Sequence, residues 1–206
     1  MIPKVNFLHS ITRDLGILRP VREYGELQFI FHNNQTNVIA GRHNYGRVHV
    51  FSYQKGGSIS IGNFNSISEI VLIMGGNHHL GITTYPLKTK FLGFDTSLDN
   101  GDLKGIVIGN DCWIGLNSTI LDGVTIETGS IIGAGSVITK STEPYGIYAG
   151  NPARKIGVRF SESCIEKLLS LKWWEQPDHK IISNIDSMYE DDCEKFIQKF
   201  KYGEGK

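Results

Sequence analysis

Between Ile106 and Thr142 the chain repeats itself every six residues. Ile108, Ile114, Ile120, Ile126, Ile132 and Ile138 fall on that beat, and four residues after each comes a small or β-branched residue: Cys112, Ser118, Val124, Ser130, Ser136 and Thr142. Gly109, Gly115 and Gly133 directly follow three of the isoleucines. A period of six matches neither the 3.6-residue turn of a helix nor the alternation of a long strand. It suits a short strand plus a turn, repeated so that one apolar side chain per unit points inward. Three units make one triangular coil, and stacked coils build a core that is a ladder of like side chains. The small residues are expected where the chain turns a tight corner.

Earlier in the chain Ile61 and Ile67 keep the beat, which predicts Ile73 as the third member of the same coil. Leu27, Phe29 and Phe31, and then Val48, Val50 and Ser52, alternate with their neighbours as strands do, with NNQTN at 33–37 as a turn between them. After Met74 the beat stops, resuming only at Ile108. So long an excursion from a coil costs backbone entropy that few core contacts offset, which suggests that it has a role. Beyond Thr142 the chain becomes helical. Ser163 and Glu166 form a capping-box signature, a second helix is expected near Asp178, and Cys193, Phe196, Ile197 and Phe200 share one face of a third. Such helices would cover the open end of the stack. The domain reading is therefore an N-terminal segment (1–37), a repeat region (38–160) with an extended loop (74–105), and a C-terminal helical segment (161–206).

Composition narrows the partners. The 206 residues carry 21 basic and 21 acidic side chains, so nothing favours nucleic acid or an anionic membrane as a bulk partner. Neither a signal-peptide core nor an apolar membrane span is visible, and a cytoplasmic protein is expected. Three cysteines without a CxxC spacing argue against a disulfide framework and are read as small buried hydrophobes.

The motifs IGNFNSI (61–67), GGNHH (75–79), TTYP (83–86), IGNDCWIG (108–115), AGNPARKI (149–156) and LKWWEQPDHKI (171–181) occur in an order that resembles one group of proteins. This is the xenobiotic acetyltransferase group of the hexapeptide-repeat acyltransferases, which holds the hexapeptide-type chloramphenicol and streptogramin acetyltransferases. The resemblance implies a mainly β fold, a left-handed parallel β-helix with an excursion loop and C-terminal α-helices; the handedness comes from the family and not from the spacing. It also implies a homotrimer with active sites between subunits, and acetyl-coenzyme A as co-substrate with no metal.

Acetyl transfer to a hydroxyl needs a base for the hydroxyl proton, a task for which histidine is suited. By resemblance the catalytic base is His78. His79 stands where the relatives carry arginine, and Asn77 is either an acceptor-binding or a plain turn residue. Tyr45 and Tyr53 are acceptor-side candidates, with packing as the alternative. Coenzyme A carries phosphates that need cations and N–H groups. Lys140, Arg154, Lys155 and Arg159 cluster in sequence after the repeats, and the GNPAR segment adds Asn151 and Pro152. By resemblance Trp113, Gly115, Gly133 and Ala134 would line the pantetheine path, with simple packing as the rival reading for Trp113. The acceptor expected first is a sugar or polysaccharide hydroxyl, with an antibiotic hydroxyl as the alternative. Two other readings remain: a zinc carbonic anhydrase-like enzyme drawing on His43, His49, His78 or His79, and a scaffold without turnover.

Overall fold

The computed structural model describes residues 26–33, 36–53, 56–75, 78, 81–94, 103–190 and 192–202. Five strands precede the excursion: β1 (Gln28–Asn33), β2 (Asn37–Ala40), β3 (Tyr45–Ser52), β4 (Ser58–Ile61) and β5 (Ser66–Met74). Short strands follow it: β6 (Ile106–Ile108), β7 (Trp113–Ile114), β8 (Thr119–Leu121), β9 (Thr125–Ile126), β10 (Ile131–Ile132) and β11 (Val137–Ile138). The longer β12 (Gly146–Gly150) comes next, and β13 (Ala153–Val158) folds back antiparallel on it.

The pairing shows why the period is six. Ile108 lies beside Ile126, Ile114 beside Ile132 and Ile120 beside Ile138, always in parallel and always three six-residue units apart. Ile61 and Ile67 extend the first two columns across the excursion by pairing with Ile108 and Ile114. Strands inside the stack, such as β6, β7 and β8, thus hydrogen-bond to the coil before and the coil after. The resulting columns, Ile61–Ile108–Ile126, Ile67–Ile114–Ile132 and Leu72–Ile120–Ile138, are exposed by 2% or less at every member. The small residues Cys112, Ser118, Val124, Ser130, Ser136 and Thr142 are buried as well. Their hydroxyls satisfy carbonyls that the corners leave over: Ser118 donates to Gly115 and Gly133, and Ser136 to Gly133.

One expected core residue is displaced. Leu72, not Ile73, pairs with Ile120, while Ile73 pairs with Leu121 and is only partly buried. The cause is an irregularity in the β3–β5 register: Tyr45 faces Ser66 but Arg47 faces Glu69, so β5 carries one extra residue there. Such a bulge moves the inward set by one, to Ile70, Leu72 and Met74. Gly46 sits at this point with φ of 128°, and a Cβ on it would lie 1.8 Å from the Ile67 carbonyl oxygen. No larger residue fits.

Along one edge of the stack the corners use left-handed backbone. His43, Phe64, Asp111, Gly129 and Tyr145 all have positive φ, and each of the last four donates its N–H to a carbonyl in the preceding coil. Asparagine side chains tie these corners together. Asn63 Oδ1 accepts from Arg42 N, and Asn110 Oδ1 from Asn63 N. Asn65, fully buried, donates to Asn44 Oδ1 and the Gly109 carbonyl and accepts from Cys112 N. Leaving such buried partners unmatched would cost about 1–3 kcal/mol per group.

The C-terminal helices pack on this same edge. They are α1 (Glu162–Leu171), α2 (Asp178–Ile182) and α3 (Cys193–Tyr202), with 3₁₀ turns at Trp173–Glu175 and Ile185–Tyr189. Arg42 pairs with Asp178 and reaches the Gln176 carbonyl, and Trp173 packs against Phe64. Two expectations need correction. The α1 cap is Ser161, which is extended and accepts from Cys164 N; Ser163 already lies within the first turn. Cys164 and Cys193 are not separate buried thiols but a disulfide joining α1 to α3, with Cα atoms 6.4 Å apart. Their pairing follows from the packing of two helices remote in sequence, which spacing does not encode. Among the described residues no helix is long and apolar enough to cross a membrane.

Candidate active site

The segment after β5 begins at the end of the coil, where Tyr53 N donates to the Met74 carbonyl. Tyr53 is exposed there. Four residues beyond Met74, His78 is exposed, and its Nδ1 lies 2.5 Å from the carbonyl oxygen of Thr84. A carbonyl oxygen only accepts, so Nδ1 carries the hydrogen and Nε2 of the neutral ring keeps its lone pair. Thr84 belongs to the TTYP motif, which links the two motifs of the excursion physically. The Thr84 carbonyl was not singled out from sequence, because a backbone acceptor has no residue-type signature. Asn77 and His79 lie outside the described residues.

A second set of side chains lines the outside of the stack. Tyr45, Ser66, Trp113, Ile131 and Ile147 are consecutive partners across β3, β5, β7, β10 and β12. Tyr45 and Trp113 are 43% and 58% exposed. The Tyr45 hydroxyl bonds to Ser66 Oγ. This favours a surface role over core packing for Trp113.

Gly115, Gly133 and Ala134 meet at the next corner. Gly115 N donates to the Ile132 carbonyl, and a Cβ on Gly115 would lie 2.5 Å from Ala134 N. A Cβ on Gly133 would lie 3.1 Å from Ala149 Cβ. Ala149 in turn pairs with Arg154 across the β12–β13 turn that contains Asn151 and Pro152. The structure therefore gathers Gly115, Gly133, Ala134 and the NPAR segment at one corner.

The basic residues separate into different settings. Arg154 is exposed, and its guanidinium donates to the neighbouring Ala153 carbonyl. Lys155 pairs with Glu143, a contact that raises its pKa. Lys140 is exposed past the end of β11. Arg159 does not belong with them: it bonds to Asp111 Oδ2 at 3.0 Å and to the Gly129 carbonyl, under the C-terminal helices. Strand β13 ends at Val158, and the chain there turns toward the left-handed corner.

His32, His43 and His49 lie in other settings. His43 Nε2 is 3.1 Å from both oxygens of Asp178, and burial followed by the Arg42 charge lowers its pKa. His49 bonds to Glu69 at 2.8 Å and to His32 at 3.2 Å. Among the described residues no three His, Cys, Asp or Glu side chains are grouped to hold a metal. Burial pushes the Cys112 thiol up to about 12, which removes it as a thiolate nucleophile at neutral pH.

Known proteins match this sequence well. The family model for bacterial transferase hexapeptide (six repeats) matches residues 105–140. A probable macrolide acetyltransferase of Lysinibacillus sphaericus is 44% identical over 138 residues, covering 64% of this chain and 77% of that one. The chloramphenicol acetyltransferase of Agrobacterium fabrum is 34% identical over 165 residues, covering 70% and 78%. The virginiamycin A acetyltransferase of Staphylococcus aureus is 37% identical over 200 residues, covering 88% of this chain and 91% of that protein.

Proposed function

The chain belongs to the hexapeptide-repeat acetyltransferases, in the xenobiotic acetyltransferase group, and from that premise we propose that it transfers acetyl from acetyl-coenzyme A to a hydroxyl with His78 as general base. The observation that carries this reading is the contact of His78 Nδ1 with the Thr84 carbonyl. It leaves Nε2 as the proton acceptor on an exposed side chain.

When bound, acetyl-coenzyme A supplies a thioester whose carbonyl carbon takes the acceptor oxygen and whose sulfur leaves. His78 Nε2 takes the hydroxyl proton as the C–O bond forms and returns it to the sulfur as the C–S bond breaks. The ring ends neutral, as it began. By the family resemblance the pantetheine arm is assigned to the corner of Gly115, Gly133 and Ala134, where side chains are small or absent. Trp113, Asn151 and Pro152 border the same region in this reading.

For the phosphates, Lys140 and Arg154 are the cations to test, since Glu143 already answers the charge of Lys155. Lys140→Ala and Arg154→Ala are expected to weaken binding of coenzyme A more than of its 3'-dephospho form, as titration calorimetry would show. An equal loss for both ligands would move the 3'-phosphate contact elsewhere.

The names of the three relatives make hydroxyl-bearing antibiotics the first acceptor class: macrolide, chloramphenicol and virginiamycin A. A sugar hydroxyl stands second. It is favoured by the outer column in which the exposed rings of Tyr45 and Trp113 flank Ser66, a surface suited to the apolar face and hydroxyls of a sugar. Tyr53, Asn77 and His79 complete the acceptor side of this reading. The deciding experiment measures thiol release from acetyl-coenzyme A with each antibiotic and with a panel of sugars. No acceptor-dependent release from any of them would overturn the proposal.

The left-handed sense of the coil, a homotrimer and a cytoplasmic location belong to the same reading. Support for the trimer comes from the excursion, where Ile82, Tyr85, Phe91, Leu92 and Phe94 are all more than half exposed and would be covered by a neighbouring subunit. Light scattering should then give about three times the 23.0 kDa of one chain. A single-chain mass at micromolar concentration would contradict it.

A further inference from the structure

His78 is exposed on the excursion, so water competes for both of its ring nitrogens. One hydrogen bond holds such a ring only if the acceptor is itself fixed. The Thr84 carbonyl that meets Nδ1 at 2.5 Å is one end of a planar peptide unit whose other end is the Tyr85 N–H. Where that N–H points therefore decides where the carbonyl points. Turning the unit over, by rotation about ψ of Thr84 and φ of Tyr85, would carry the oxygen away from the ring.

Tyr85 N donates to Thr83 Oγ1 at 3.0 Å. The contacts thus run from His78 Nδ1–H to the Thr84 carbonyl and, through the same amide, from Tyr85 N–H to the Thr83 hydroxyl. Bonds at the two ends of one amide polarise it in the same sense, so engaging the N–H makes the carbonyl a better acceptor. Residues on the far side are already committed. Pro86 has no N–H, and it disfavours the helical conformation for the tyrosine before it. Leu87 N donates to the Tyr85 carbonyl at 2.8 Å, and Lys90 N to the Pro86 carbonyl at 2.8 Å, which starts a short helical turn at Leu87–Phe91. The Thr84–Tyr85 unit lies between that turn and His78, and the Thr83 hydroxyl is placed to stop it from rotating.

We infer that Thr83 is a positioning residue for acetyl transfer: its hydroxyl holds the Thr84–Tyr85 peptide unit in the orientation that receives His78 Nδ1–H, and so keeps the lone pair on Nε2. The residue type fits the task, because a Ser or Thr hydroxyl bonds to backbone two residues on, whereas valine has the same shape and no acceptor. The inference rests on the reading of His78 as the base. In that reading a ring with its hydrogen on Nε2 cannot take the acceptor's proton at that atom.

The test uses the full chain with its histidines labelled with nitrogen-15, at about pH 8.5, where an ordinary imidazole is neutral. Long-range nitrogen–proton spectra report which ring nitrogen carries the hydrogen, and the His78 signals are those lost in His78→Ala. The parent chain and Thr83→Ser should both show His78 with the hydrogen on Nδ1. Thr83→Val should show a mixture of the two tautomers, with kcat lowered by up to about tenfold, the share of one neutral hydrogen bond, and KM for the acceptor little changed. Thr83→Ser should restore kcat. Thr83 is exposed, so valine there is compatible with folding, and circular dichroism checks it. An unchanged His78 tautomer in folded Thr83→Val overturns the inference, even if His78→Ala is inactive and the base assignment stands. Full activity of His78→Ala beside a tautomer that follows Thr83 would instead remove the base assignment and leave Thr83 as the group that orients the ring.

Discussion

Replacing His78 with alanine should lower kcat by about 10²- to 10⁴-fold, the usual share of a positioned general base. The dissociation constant of acetyl-coenzyme A should stay within a few fold. The two quantities separate because only the base acts on the proton in flight, whereas the carrier is assigned to the coil corner and the cations beyond it. His79→Ala should cost much less. Steady-state kinetics with a working acceptor, alongside binding of the carrier alone, read both effects. If His79→Ala were the inactive variant and His78→Ala the active one, the motif assignment would be off by one residue. Full activity in both would remove base catalysis from this segment and leave the excursion a role in subunit contact.

The Thr84 contact adds a constraint that the sequence did not supply. A histidine on an excursion samples many orientations, and general-base efficiency depends on the proton-accepting nitrogen being presented in one of them. Anchoring Nδ1 on a carbonyl of the same excursion fixes both the ring and its tautomer. Changes at Thr83 to Pro86 should therefore act on kcat through His78, even without contact to either substrate.

What could be foreseen depended on where the information sits. The ladder of isoleucines was legible because a period of six is written in side chains, and Ile61, Ile67, Ile114, Ile120, Ile126 and Ile138 all lie where the period puts them. Ile73 was expected in the column that Leu72 occupies because the extra residue in β5 is a backbone event: Ser68 and Glu69 do not announce a bulge, and the Gly46 that permits it lies on another strand. The Cys164–Cys193 bond and the departure of Arg159 to Asp111 were hidden for a related reason. Each depends on how the terminal helices settle on the corner column, a tertiary relation without a local pattern. His78 and the glycines at 115 and 133 were reached through motif resemblance. Composition alone would have left them as an exposed loop histidine and two turn residues.

Ile120→Asp should prevent the chain from folding. Ile120 is fully buried, pairing with Leu72 on one side and Ile138 on the other, so it occupies the middle of a column with like side chains above and below. A carboxylate there has no cation to meet, and taking up a proton instead would still leave a buried polar group without a partner; either route costs several kcal/mol. Removing the isoleucine also forfeits about 2–5 kcal/mol of burial and packing. Together these rival the entire stability of a typical domain, about 5–15 kcal/mol. In a stacked coil the damage is not confined to one layer, since each strand is held by its neighbours and a lost rung exposes the next. The expected readings are loss of the cooperative thermal transition and loss of acetyl transfer together. Ile120→Val, which keeps the inward branched side chain, should shift the midpoint by only a few degrees, corresponding to about 0.5–1.5 kcal/mol. A folded, cooperatively melting Ile120→Asp protein would mean that the inward face of the repeat has been assigned to the wrong residues.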